Sequence, residues 1–142
     1  MMREKLKVIL KREGDKHKDI FGVERVDEFD GVSYRYGNSE TPLCPSRSEV
    51  VYPKVGTNKS GEKKFVVNLG NETIQGVRIE LCVRNDKCTF SELFPSGYST
   101  KCIQKYIYKK LLALGEEDKT VVEEFRLPSC CSCFVTGPEN AR

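Results

Sequence analysis

The chain has no tryptophan, and its single histidine, His17, stands in the charged stretch "GDKHKD". A nucleophilic cysteine needs a base beside it, and one histidine among lysines is a poor base. A Gly-rich phosphate loop and a Gly-x-Ser-x-Gly elbow are also missing, so no enzyme activity, cofactor or catalytic residue is expected. Long apolar runs are lacking as well. The start "MMREKLKVILKREGD" offers only Leu6 to Leu10, broken by Lys7, as an apolar core. That is too short for a signal peptide and far too short for membrane insertion. Charge of one sign is scarce: the net charge is +3, with lysines and arginines dispersed among acids, as in "KREGDKHKD" and "GEEDK". There is no basic stripe to lay along phosphates, so nucleic acid is not an expected partner.

Residues 1 to 43 lack cysteine altogether, whereas all seven cysteines lie between Cys44 and Cys133. This usage is well above that of ordinary cytosolic proteins. The same region holds both sequons, Asn58-Lys59-Ser60 and Asn71-Glu72-Thr73, each in a polar turn and each a candidate glycosylation site. Together these features point to an oxidising, secretory route. The expectation is therefore a secreted, extracellular protein whose given chain starts inside a longer precursor, with the signal peptide outside it.

The segments after Cys44 read as strands. "SEVVYP", "KFVVNL", "TIQGVRIELCV" and "KTVVEEFRL" are short, rich in β-branched and aromatic residues, and bounded by turn formers. "KCIQKYIYKKLLALG" has helical spacing at Ile103, Ile107 and Leu111, yet its continuation through "GEEDK" reads as a long hairpin. Residues 1 to 43 are polar, and the expectation there is a flexible arm with a short helix near residues 3 to 12. A mostly β unit with this little apolar content needs covalent staples.

The cysteines admit several chemistries. Cys82, Cys88, Cys131 and Cys133 could in principle hold zinc, but five residues and one residue between the paired ligands fit a zinc site poorly, and Cys44 and Cys102 would be idle. No metal is expected. In "RLPSCCSCFV", adjacent Cys130 and Cys131 would strain their shared peptide if bridged, so they have different partners. On a strand, Cys131 and Cys133 share one face and Cys130 takes the other. Bridges from Cys131 and Cys133 to the pair Cys82 and Cys88 would enclose a ring, with Cys44 and Cys102 passing through or beside it, and would leave Cys130 for another chain. Spacing alone does not choose this among the 15 connectivities open to six cysteines.

The series "LCPSRSEVVYPK", "RIELC", "LFPSGYSTKCIQKY" and "FRLPSCCSC" resembles the mature domain of the Spätzle family, secreted arthropod cytokines of the neurotrophin-like cystine-knot fold that bind Toll receptors. The resemblance covers about residues 36 to 136 and all seven cysteines in order. It implies a mostly β cystine-knot cytokine with elongated antiparallel hairpins and a disordered N-terminal arm, divided into a flexible pro-region remnant (1–35) and a knot domain (36–142). It further implies bridges Cys44–Cys102, Cys82–Cys131 and Cys88–Cys133, with Cys130 joining a disulfide-linked homodimer. Activation in the family is by a serine protease that cuts after a basic residue shortly before the first cysteine. Here that implies cleavage between Arg35 and Tyr36, with Arg25–Val26 as second choice. The implied function is a proteolytically activated ligand of a Toll-type receptor in innate immune or developmental signalling. The alternative is a cystine-knot protein that sequesters another growth factor without signalling. One departure is that this chain carries "TNKSGEKK" at 57 to 64, the Asn58 sequon included, where the family's best-known member has a tryptophan-bearing loop.

Overall fold

The computed structural model describes residues 2–14, 16–24 and 40–138. Their order is a helix α1 (Met2–Glu13) and strands β1 (Gly22–Val23), β2 (Ser46–Val51), β3 (Val55–Thr57), β4 (Lys63–Phe65), β5 (Gln75–Cys82), β6 (Ser99–Leu114) and β7 (Thr120–Thr136). The strands form three sheets: β1-β5-β2, β3-β4 and the long ribbon β6-β7. The ambiguous stretch from Lys101 to Gly115 is thus strand up to Leu114, where pairing with β7 overrides its helical spacing. The proposed cleavage positions Arg35–Tyr36, and Arg25, lie outside the described residues.

The described residues divide into two compact units: 2–14, 16–24, 50–78 and 107–127 form one, and 40–49, 79–106 and 128–138 the other. The first has an aliphatic core. Leu6, Val67, Leu69 and Leu112 are buried together, and Met2, Leu10, Ile20, Phe21 and Leu114 pack against them. Phe125 is fully buried nearby in sequence register with β3, where Gly56 admits it: a Cβ on residue 56 would lie 2.7 Å from the ring.

The start of the arm contains a helix, as its sequence pattern predicts, and that helix is docked. Met2, Leu6, Ile9 and Leu10 recur at helical spacing, which gives α1 one apolar face, and Leu6 and Ile9 are buried. Lys11 and Arg12 in the last turn suit the negative end of the helix dipole. Gly14, at φ 64°, closes the helix with its N–H on the Leu10 carbonyl at 3.0 Å. Polar groups tie the same helix to the β6–β7 turn. Lys5 pairs with Asp118 at 2.8 Å, Arg12 donates to the Asp118 carbonyl at 2.6 Å, and Glu13 accepts from both the amide and the hydroxyl of Thr120. β1 then adds in parallel to β5, Gly22 beside Gln75 and Val23 beside Gly76, and Glu24 receives Lys109 at 2.5 Å and the Arg78 amide at 2.9 Å. Residues read from sequence as part of a flexible arm therefore carry defined structure as far as Glu24.

Inside this unit one side chain satisfies several backbone groups. Gln75, 2 % exposed, donates to the carbonyls of Val67 (2.8 Å) and Leu112 (3.0 Å) and accepts the Leu112 amide (2.8 Å). A buried polar group left without a partner costs about 1–3 kcal/mol. Gln75→Ala strands the Val67 carbonyl and the Leu112 amide, while the Leu112 carbonyl keeps the Val67 amide at 3.0 Å, and it is expected to destabilise the protein by roughly 2 kcal/mol or more on that scale, measured by urea unfolding of the oxidised chain.

Acid should loosen the helix end. Burial alone pushes the Glu13 carboxyl up, but the two Thr120 hydrogen bonds and the charges of His17 and Lys16 outweigh it, so its pKa lies below the ordinary 4.5. Because the folded value is the lower one, the stabilisation is fully present above 4.5 and is lost as pH falls through the depressed value. Thermal melts are expected to show a midpoint that falls as pH drops below 4.5, with a shallower fall in Glu13→Gln.

Candidate functional site

The second unit has almost no aliphatic interior. Among the described residues its buried apolar side chains are Ile79, Cys44, Cys88 and Cys102. Three disulfides occupy the place of a core. Cys82 is bonded to Cys131 (Cα–Cα 5.1 Å) and Cys88 to Cys133 (6.0 Å), closing a ring from residues 82–88 and 131–133. The third bridge, Cys44–Cys102 (5.6 Å), lies against both ring bridges. The Cys44 sulfur is 3.6 Å from that of Cys88, the Cys102 sulfur is 3.9 Å from it, and the sulfurs of Cys44, Cys102 and Cys131 lie within 4.8 Å of one another. The Cys102 amide donates to the Asp86 carbonyl, inside the ring segment, at 2.8 Å. This is a cystine knot, and its six sulfurs are spent in bridges, so none is a thiolate able to hold zinc.

The strand alternation of β7 explains the division of "SCCSC". Cys131 and Cys133, two residues apart on a continuous strand, both reach the ring, while Cys130 between Ser129 and Cys131 is not bridged. Cys130 is half-buried, and its sulfur has the hydroxyls of Ser129 and Ser132 at 3.9 Å and 3.7 Å. Sequence reasoning did not single out Gln104. Its amide donates to the Glu80 carbonyl (2.8 Å) and the Cys130 carbonyl (3.1 Å) and accepts the Cys82 amide (2.8 Å). One side chain thus joins β5, β6 and β7 beside the Cys82–Cys131 bridge. A polar residue inside the apolar stretch "CIQKY" was the only signal for it. His17, the sole histidine, belongs to the other unit and stands 3.9 Å from Glu13.

The two sequons differ in structure. Asn71 is exposed at the tip of the turn Gly70–Thr73. Asn58 is 5 % exposed; its carbonyl oxygen caps the amides of Ser60 (3.0 Å) and Glu62 (2.8 Å), and its amide donates to Glu123 (3.3 Å). The Asn58 sequon, read from sequence as a glycosylation site, thus falls on a buried, hydrogen-bonded side chain. Asn58 is the lock of the β3–β4 hairpin turn, because an Asn oxygen there satisfies two backbone donors.

Each bridge closes a loop of 45 to 58 residues. Loops of that length are worth about 4 kcal/mol apiece on the chain-entropy model. Cys131→Ser opens the ring and leaves Cys82 unpaired in a unit with no other core. It is expected to cost about 2–5 kcal/mol, seen as a lowered denaturation midpoint or as loss of folded protein in non-reducing electrophoresis.

Residues 41–135 match the family model described as Spaetzle. The chain is 36 % identical over 122 residues to Protein spaetzle 5 of Drosophila melanogaster, covering 84 % of this chain and 31 % of that protein. To Protein spaetzle of the same organism it is 38 % identical over 107 residues, covering 72 % and 32 %. To Neurotrophin 1 it is 31 % identical over 121 residues, covering 81 % and 13 %. The chain therefore spans about a third or less of the length of the curated relatives it matches. A crystal structure of the spatzle cystine knot superposes with a TM-score of 0.44 at 29 % identity, covering 70 % of this chain and 98 % of that one. With a matched segment that contains every cysteine of the knot, the chain belongs to the Spaetzle family.

Proposed function

We propose that this protein is a secreted, cytokine-like ligand that acts as a disulfide-linked homodimer and activates a Toll-type receptor after proteolytic cleavage. The observation that carries the reading is the knot with one cysteine left over: six sulfurs are paired within the chain, and Cys130 alone is free. An odd cysteine in a disulfide-rich extracellular domain is the natural joint to a second copy. Three bridges also require an oxidising compartment, which supports secretion. Such a ligand has no reaction to perform. It works by presenting rigid paired surfaces, and rigidity lowers the ordering cost of binding.

Cleavage between Arg35 and Tyr36 would leave a mature chain beginning Tyr-Gly-Asn-Ser-Glu, nine residues before Cys44 by the count from Arg35. The activating enzyme is a serine protease with specificity for a basic residue. A covalent dimer brings two identical surfaces to receptor chains, so affinity gains from effective concentration.

Limited trypsin digestion of the folded chain is expected to yield a stable fragment beginning YGNSE. The cleaved dimer is then applied to cells carrying a Toll-type receptor and a reporter. Cys130→Ser should keep all three bridges, migrate as a monomer without reductant, and need a concentration higher by about tenfold or more, given the loss of avidity. A covalent dimer that persists in Cys130→Ser overturns the assignment of the joint. Binding at saturation without any signal would favour the growth-factor sequestration reading instead.

A further inference from the structure

We propose that Asn71 is the N-glycan acceptor of this protein and that the Asn58 sequon is unmodified in the folded, exported chain. The proposal rests on the secretory reading above, since the transfer takes place in that route. In the reaction the amide nitrogen of Asn71 attacks the anomeric carbon of a lipid-pyrophosphate-linked oligosaccharide. The carbon–nitrogen bond forms as the carbon–oxygen bond to pyrophosphate breaks; Nδ2 gives up one proton and the lipid pyrophosphate departs.

The two sites have the same sequence grammar, Asn-x-Ser/Thr, and opposite structural circumstances. Asn71 sits at φ 55° on the outside of a tight turn. The turn is closed by the Thr73 amide and hydroxyl on the Gly70 carbonyl, at 3.1 Å and 3.0 Å, and by the Leu69 amide on the Thr73 carbonyl at 3.0 Å. Those bonds use the backbone and the threonine, and none uses the Asn71 side chain among the described residues. A sugar on its amide therefore displaces no bond. There is also room for one. Asn71 is among the residues lining two adjoining grooves of about 580 Å³ and 540 Å³, which Leu10 and Phe21 also line.

At Asn58 each of these conditions is reversed. Its Nδ2, the atom that would carry the sugar, donates to Glu123, and the side chain is 5 % exposed. Its Oδ1 holds the Ser60 and Glu62 amides, and its own backbone pairs with the Glu62 carbonyl and bridges to Phe125. A glycan there has no space and breaks the turn that Asn58 builds. Transfer precedes complete folding, so the fold acts as a filter: chains modified at Asn58 fail to close the β3–β4 hairpin and do not leave the cell as native protein.

The test expresses the full chain behind a secretory leader in eukaryotic cells and maps the exported protein by glycopeptide mass spectrometry, with and without peptide-N-glycosidase. The expected result is a glycan at Asn71, none at Asn58, and loss of the glycosidase-dependent mobility shift in Asn71→Gln and in Thr73→Ala. Ser60→Ala removes the Asn58 sequon but keeps the Ser60 amide that Asn58 caps, so export and glycan pattern should be unchanged. Asn58→Gln, whose longer side chain cannot reproduce the caps, should lower export. A glycan on Asn58 in exported protein, or a loss of the mobility shift in Ser60→Ala, overturns the proposal. Exported chain with its three bridges intact and a bare Asn71 overturns the proposal while leaving the secretory reading standing. Retained chain with seven free thiols overturns both.

Discussion

The mutual packing of three disulfides is the constraint on which the second unit depends. With Ile79 as its only buried aliphatic residue among those described, that unit has little apolar area to set against chain entropy. The bridges act on the other side of the balance, by restricting the unfolded chain. They also fill the interior: the sulfurs of Cys44 and Cys102 pack against that of Cys88, so the knot is both the covalent frame and the core. Gln104 completes it by hydrogen-bonding the backbone of β5 at Glu80 and Cys82 and of β7 at Cys130.

The first unit reaches stability by the usual means. Its core is aliphatic and aromatic, and Gln75 does there what Gln104 does beside the knot, supplying hydrogen bonds to backbone groups of separate segments. Helix α1 is part of this core through Leu6, and its polar contacts concentrate at Asp118 and Thr120, next to the tight end of the β6–β7 ribbon. Glu117 and Asp118 both hold left-handed conformations in that turn, at φ 57° and 55°, and the Gly115 amide closes it on the Lys119 carbonyl at 2.7 Å. The turn that ends the ribbon is therefore also the anchor of the helix.

The knot gives this chain the covalent frame of the Spaetzle family to which it belongs. Its six paired cysteines are consumed as structure. Cys130, half-buried and flanked by two serines, is left unbridged. One unbridged cysteine beside a closed knot is the observation on which the proposal of a dimeric ligand rests.

Much of this was legible in sequence because it is local or depends on periodicity. The strands after Cys44 follow from β-branched runs between turn residues, the opposite facing of Cys130 and Cys131 from the period of two along a strand, and the short helix from apolar residues at 2, 6, 9 and 10. The resemblance carried by the cysteine flanks implied the family. Other features were illegible because they depend on residues far apart in the chain. Whether α1 is free or docked depends on Val67, Leu69 and Leu112, and the use of Gln75 and Gln104 depends on which backbone groups distant segments bring beside them. The sequons show the difference most directly. Sequence determined that Asn58 and Asn71 each carry the pattern for modification; only the tertiary structure decided that one is an exposed turn tip and the other a buried cap, because burial and hydrogen bonding are properties of the assembled neighbours and not of three consecutive residues.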